Sequence, residues 1–263
     1  MRKLALVALL LWSAGCASGQ KVSGPPLATY TCYRARGQIM VDGELNEPSW
    51  RAARSVGQFA TYDGDRDIPG TSAWMVWDDR MLYVAFECTD RDIYATYEER
   101  DGALYNQDVV EVFIMEQSVG QGHFVEFEVS PIGTLFDVYN VKPYVGILAW
   151  ESPEFRAAAR LNGTPNKPGD KDTGYTVEIA IPFKDLYLKP PHGNDATPLN
   201  GDVLRMNLYR IDYSTPPEEK MGDMGARPIF ITWSQTVKLR FHMPQRFGVV
   251  TFCDRPAGSL PEE

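Results

Sequence analysis

Short runs in which every second residue is apolar recur from one end of this chain to the other, and a period of two marks strands with one buried face. Met81 to Cys88 puts Leu82, Val84, Phe86 and Cys88 on one side. Val109 to Ile114 sets Val110, Val112 and Ile114 against Glu111, and Phe124 to Val129 turns Val125, Phe127 and Val129 the same way. Tyr175 to Ile181 and Val203 to Leu208 repeat the form through Val177, Ile179 and Ile181 and through Leu204, Met206 and Leu208. Glu47 to Ala53 offers one helical turn, with Trp50 expected to plug an end of the core. Turn pairs at Asp42-Gly43, Asp63-Gly64, Ile132-Gly133, Asn162-Gly163 and Asn200-Gly201 punctuate the runs. The expected fold is all-β: a two-sheet antiparallel β-sandwich, jelly-roll or immunoglobulin-like, with long loops. Tyr139 to Asp172, Lys189 to Gly201 and Ser214 to Pro228 are the expected loops, which either dress a binding rim or cover the sheets.

The first residues bear on compartment. Arg2 and Lys3 precede an apolar run, Leu4 to Trp12, that ends in the small residues Ala14, Gly15 and Cys16. The run falls short of the roughly 20 residues a spanning helix needs, and no later stretch is apolar enough to span, so residues 1–15 read as a signal peptide. Ser13-Ala14-Gly15-Cys16 resembles the bacterial lipobox, with Ser13 where Leu is usual, which makes Cys16 the expected lipidation site. An ordinary secretory cut near Ala17 or Gly19 is the alternative. Since Ala17 is not Asp, the expected place is the cell envelope: an outer-membrane lipoprotein facing the periplasm or the surface, held to the membrane only through its N-terminal lipid. Residues 16–30 then form a flexible tether, 31–253 one domain, and 254–263 a disordered tail.

A net charge of -9 with no Lys/Arg cluster argues against nucleic acid and against acidic polymers as partners. Four cysteines include Cys16; of the other three, Cys32 opens the first strand and Cys253 closes the last. First and last strands of a sandwich are often neighbours, so a Cys32–Cys253 disulfide is expected, with Cys88 a buried free thiol.

Polar residues alternate with the apolar rows: Glu111, Glu126, Glu128, Arg205 and Asn207. A solvated sheet face accounts for such residues without function. The other reading is chemical: carboxylates, guanidinium and amides can each hold vicinal hydroxyls with paired hydrogen bonds, and a flat ring packs on the C–H face of a pyranose. Tyr105, Trp150, Trp233 and Phe241 stand in or beside loops, where such rings would be wanted.

The order of segments then becomes recognisable. Ile39-Met40-Val41-Asp42-Gly43-Glu44-Leu45-Asn46-Glu47-Pro48-Ser49-Trp50, Trp77-Asp78-Asp79-Arg80-Met81-Leu82-Tyr83-Val84 and Tyr105-Asn106-Gln107-Asp108-Val109-Val110-Glu111-Val112-Phe113 resemble successive signatures of the family 9 carbohydrate-binding modules, a DOMON-like sandwich. Gly174 to Pro182 and Phe241 to Gly248 are similar to its last two landmarks. The resemblance implies non-catalytic binding of a terminal sugar between two aromatic walls, here Tyr105 and Phe241 in places where the family has tryptophan. It implies a hydroxyl-binding carboxylate at Glu111, and it puts Glu128 where the family has an arginine. Gln107, Glu126, Asn207, Arg210 and His242 are expected as neighbours, His242 standing equally as a structural cap. Expected partners are a carbohydrate ligand and envelope polysaccharide-degrading proteins. No cofactor is required, although Asp63, Asp65 and Asp67 offer oxygens to a structural calcium, an acidic surface turn being the alternative.

Three rival functions differ in class. A glycosidase would need two carboxylates set across a bond, and no serine elbow, His-Glu-x-x-His or phosphate loop is present. A related sandwich binds haem through methionine and histidine, which keeps His242 and Met243 in view. The third is a scaffold that binds only protein.

Overall fold

The computed structural model describes residues 23–119, 122–213 and 228–259. The expected leader 1–15, Cys16, nearly all of the loop 214–228 and the last four residues lie outside the described residues. No described helix is long and apolar enough to cross a membrane.

The described residues form β1 (Thr29–Arg34), the short helix α1 (Pro48–Ala52), β2 (Ala60–Thr61), β3 (Thr71–Trp77), β4 (Met81–Cys88), β5 (Val109–Met115) and β6 (Phe124–Val129). They continue with β7 (Leu135–Lys142), β8 (Val145–Ile147), β9 (Arg156–Asn162), β10 (Gly174–Pro182), β11 (Val203–Asp212), β12 (Ile229–Thr232) and β13 (Gly248–Pro256). Hydrogen bonding runs without a break through β8-β7-β6-β5-β11-β13-β1-β3-β4-β10-β9, with β12 pairing β11 and β2 pairing β12. This ribbon doubles over on itself. The apolar rows of β5, β6 and β11 (Val112, Phe127, Leu208) and those of β3, β4 and β10 (Met75, Val84, Ile179) meet in one buried core. The result is an all-β sandwich, and the alternating residues face inward because burying one row of each strand is what drives two sheets together.

The pairing is not uniformly antiparallel as expected. β1 lies between β13 and β3 and runs parallel to both. The first and last strands are indeed neighbours, but the expected Cys32–Cys253 bond is not made and both thiols are free. In the parallel register Cys32 stands opposite Phe252 and Tyr33 opposite Cys253, so the two sulfurs belong to opposite faces of the pair. Cys88 is a free thiol in the main core, and burial pushes its pKa up to about 11.

Three expected boundaries shift. The connection from Tyr139 to Asp172 is no open loop: it contains the end of β7 and all of β8 and β9. The tether does not extend to residue 30, because Thr29 already enters β1 and Arg246 Nη2 donates to Pro25 O at 2.8 Å. Nor does the tail begin at 254: β13 runs to Pro256, Ala257 is buried, and its carbonyl accepts from Arg36 Nε.

Both outer faces are covered as well. Over β3, β4 and β10 the segment from Ile39 to Ala53 packs Trp50 against Val76, Tyr83 and Ala180, so Trp50 roofs a sheet instead of plugging an end. Glu178 pins this cover, accepting from Asp42 N (2.9 Å), Gly43 N (2.8 Å) and Trp50 Nε1 (2.6 Å). Because three donors, two of them buried, depend on one carboxylate, Glu178→Gln is expected to cost about 1.5 kcal/mol. Urea unfolding checks this, and an unchanged midpoint would mean the cover is held by packing alone.

Candidate functional site

The outer face of the other layer is where the polar alternation gathers. On β5 the outward residues are Val109, Glu111 and Phe113; on β11 they are Asn207, Tyr209 and Ile211, and the registers set Glu111 beside Tyr209 and opposite Glu128. Glu126 sits opposite Phe113 on one side and Val138 on the other. Pleat alone therefore brings Glu111, Glu126 and Glu128 onto one face. Around them Phe113, Phe124, Phe136, Val138, Tyr209 and Ile211 make a second apolar cluster, closed by Phe241 and Phe247 from the segment before β13.

A cleft of about 520 Å3 opens on this face. Its floor carries Glu111, Glu126 and Asn140, with Phe136, Val138 and Ile211 between them. Its walls come from three loops. In the 3-10 turn Leu104–Asn106, Leu104 is buried in the cluster and Tyr105 is left outward, 50% exposed on one rim. From β12 comes Phe230, and from the segment after it come Leu239, Arg240, Phe241 and His242. From the β7–β8 hairpin comes Tyr144, 59% exposed, whose ring stacks on His242 at 4.3 Å between centroids and 11° between planes. Tyr144 holds a left-handed φ of 64°, a conformation that costs a non-glycine residue about 1–3 kcal/mol, and its N–H donates to His242 Nδ1 at 3.1 Å.

Electrostatics of the floor follow from burial. Glu111 is 2% exposed and accepts no hydrogen bond from a described residue; burial, then repulsion from Glu126, hold its pKa well above the carboxylate range. Glu126 is pushed up to about 7 by burial, against the stabilising hydrogen bonds of Glu128 and of Asn140 Nδ2 (2.9 Å). Glu128 is wholly buried beneath them with neither oxygen well paired, and burial followed by Glu111 and Glu126 raises it too. With no cation at hand, the low-dielectric site favours protonated carboxyls. His242 moves the other way: burial lowers it to about 4, so near neutral pH it is uncharged, with Nδ1 accepting from Tyr144 and Nε2 3.7 Å from Glu126 Oε2.

Of the residues expected at a site, Tyr105, Glu111, Glu126, Phe241 and His242 line this one cleft, and Glu128 lies under its floor. Phe241 has one ring face already stacked on Tyr209, 4.0 Å between centroids, and Phe230 meets it edge-on. Gln107 is instead a clip: its Oε1 accepts from Thr96 N and Tyr97 N, as Asp108 accepts from Tyr94 N and Tyr213 N. Asn207 is likewise consumed, donating to Ser234 O (2.8 Å) and accepting from Ser234 N (2.8 Å), which fixes the start of the segment that carries Phe241. Arg210 points the opposite way, into an ion pair with Asp90 (2.9 Å) and Asp212 inside the sandwich. Asp63, Asp65 and Asp67 serve their own turn: Thr61 Oγ1 donates to Asp63, and Asp67 N donates to Asp65 at 3.0 Å. Among the described residues no three His, Cys, Asp or Glu side chains are placed to hold a metal ion.

Tyr144, Asn140, Phe230, Leu239 and Arg240 were not expected. Asn140 could have been found, since it falls on the outward parity of β7 with Phe136 and Val138. Tyr144 could not, because its place depends on how the hairpin folds back over the sheet.

Comparison with known proteins agrees with this architecture. Residues 41–130 match the family described as "Carbohydrate family 9 binding domain-like". Exoglucanase XynX of Acetivibrio thermocellus is 23% identical over 224 residues, and endo-1,4-beta-xylanase A of Thermoanaerobacterium saccharolyticum is 22% identical. Each alignment covers 85% of this chain but only 17% and 16% of those enzymes, so the chain spans about a sixth of the length of these relatives. Among solved structures, a Bacteroides uniformis protein superposes with a TM-score of 0.66 at 18% identity, over 86% of this chain and all of that one. A family 9 carbohydrate-binding module of Caldicellulosiruptor kristjanssonii, solved with cellotriose and with glucose, gives 0.56 in both states. Identity is 18% and 19%, and the matches cover 89% and 88% of this chain and 98% and 100% of the module. The fold is thus that of the family 9 type of binding module.

Proposed function

We propose that this domain binds carbohydrate without acting on it, seating a terminal sugar in the cleft over β5, β6, β7 and β11. The observation that carries the reading is the composition of that cleft: rings on its rim and wall, with carboxyls and an amide on a floor otherwise apolar. A pyranose presents the matching pattern, C–H faces for rings and vicinal hydroxyls for bidentate oxygens. The solved module of the same fold with cellotriose or glucose supports it. Tyr105 and Tyr144 are the exposed rings, and Phe241, braced from behind by Tyr209, is the fixed one. The export leader and Cys16 support a place at the cell envelope on a lipid anchor, where the domain holds polysaccharide for degrading enzymes.

A glycan array followed by calorimetry tests the reading. Tyr105→Ala removes a half-exposed ring and is expected to weaken the best ligand by about tenfold, roughly 1.4 kcal/mol, with the melting temperature unchanged. Binding that is indifferent to Tyr105 would move the site elsewhere on the domain.

A further inference from the structure

The floor of the cleft carries more carboxyl groups than a neutral sugar can use, and they become carboxylates when a cation is seated among them. Glu111 is almost wholly buried, faces the cleft and accepts no hydrogen bond from a described residue. Neither oxygen of Glu128 beneath it is well paired. No lysine or arginine among the described residues forms an ion pair with Glu111, Glu126 or Glu128; only the imidazole of His242 approaches, 3.7 Å from Glu126. Arg240 is exposed at the rim. Unpaired buried carboxyls are costly to a fold, and the ligand that would offset that cost brings a positive charge and several donors at once. An alkyl ammonium does both, with three N–H donors on a compact cation, and the exposed faces of Tyr105 and Tyr144 suit it further. A chain with net charge -9 also draws cations toward it.

From the unpaired Glu111 and its carboxyl neighbours in an aromatic-rimmed cleft, we infer that the ligand is an amino sugar, a hexose ring with a free amine in place of one hydroxyl, its ammonium seated between Glu111 and Glu126. This rests on the carbohydrate reading and names the substrate class within it. A purely neutral sugar would leave the carboxyls uncompensated, and an acetylated amine would offer one neutral donor where the floor has acceptors for an ammonium.

Three trimers of the same β-1,4-linked glucopyranose skeleton separate the cases: cellotriose, the glucosamine trimer with free amines, and the fully N-acetylated trimer. Calorimetry on the full chain near pH 6.5, where the amine is charged, is expected to show the glucosamine trimer binding at least tenfold more tightly than either of the others. Glu111→Gln, which keeps shape but cannot give up a proton to become the carboxylate an ammonium pairs with, is expected to abolish that preference while leaving cellotriose within about threefold. Selectivity is read on the unaltered protein, so it decides the matter even if the variant folds poorly. Cellotriose binding as well as or better than the glucosamine trimer would overturn the amine and leave the carbohydrate reading intact. Silence from all three trimers and from a wider glycan array would overturn both.

Discussion

Replacing Arg210 by methionine is expected to destabilise the domain by about 4 kcal/mol, because it leaves buried acids without their cation. Arg210 is fully buried, and its Nη2 serves Asp90 Oδ2 (2.9 Å) and Asp212 together, while Nη1 reaches Gly70 O and Thr71 Oγ1, both at 3.3 Å. Its guanidinium carbon lies 5.4 Å from the centre of the Tyr175 ring. Burial raises both acids, leaving Asp212 at about 6 even with Arg210 beside it, and Arg210 is the attraction that opposes this in both. Methionine matches the length of the stem, so the loss is one of charge compensation and not of volume. Urea unfolding measures it. The triple change with Asp90→Asn and Asp212→Asn is expected to recover most of the loss, since an apolar side chain beside two neutral amides buries no net charge. A single substitution costing under about 1 kcal/mol would show instead that water reaches the acids and the cluster is not truly dry.

Stability of the folded chain is expected to fall between pH 6.5 and pH 8, by about 2 kcal/mol for each carboxyl that keeps its proton across that window. Burial holds Glu126 up to about 7, and Glu111 and Glu128 are raised well beyond the range they would have in the unfolded chain. Within this window the unfolded carboxyls have already lost their protons, whereas Glu126 gives up its own only around 7 and Glu111 and Glu128 are held raised, so the folded state binds more protons and weakens as pH rises. Each carboxyl that stays protonated contributes about 1.4 kcal/mol per pH unit. His242 acts with the opposite sign: lowered to about 4 by burial, it favours the folded state more as pH rises toward 6.5, where its effect is complete. From about pH 4.5 upward three raised carboxyls outweigh one lowered imidazole, so these groups place the maximum below pH 6.5, toward the range where the unfolded carboxyls titrate. Chemical denaturation at pH 6.5 and 8 tests it, with Glu128→Gln expected to remove about half of the alkaline loss. A flat profile would mean that the three carboxyls are solvated in solution.

Which parts of this fold are legible in the sequence depends on how many faces each strand buries. β4, β5, β6, β10 and β11 show a clean apolar row, because their inward residues pack in the main core while several outward ones are polar. β3 hides its alternation: Met75 and Trp77 point to the core, but Val76 is also buried beneath the Trp50 cover, so the run reads as uniformly apolar. β9 is lost for the opposite reason, since its three consecutive alanines are half-exposed at an edge and carry no pattern. At the site, Glu111 and Glu126 stand out as acids set into apolar strands. A polar residue beside or within an apolar strand misleads at Gln107 and Asn207, because a buried polar side chain serves the backbone as readily as a ligand. Arg210 was separable by parity, for it follows Leu204, Met206 and Leu208 along the inward row. Tyr144 depends on a hairpin tip and no periodicity reaches it.

The parallel run of β1 beside β13 bears on how this domain carries load. Thr29 is level with Val249 and Arg34 with Pro256, so chain arriving at β1 and chain leaving β13 depart from opposite ends of the pair, about 20 Å apart at the rise of a strand. A pull between the two flanks therefore slides one strand along the other and strains every rung of the ladder together, where a hairpin arrangement would unzip one rung at a time.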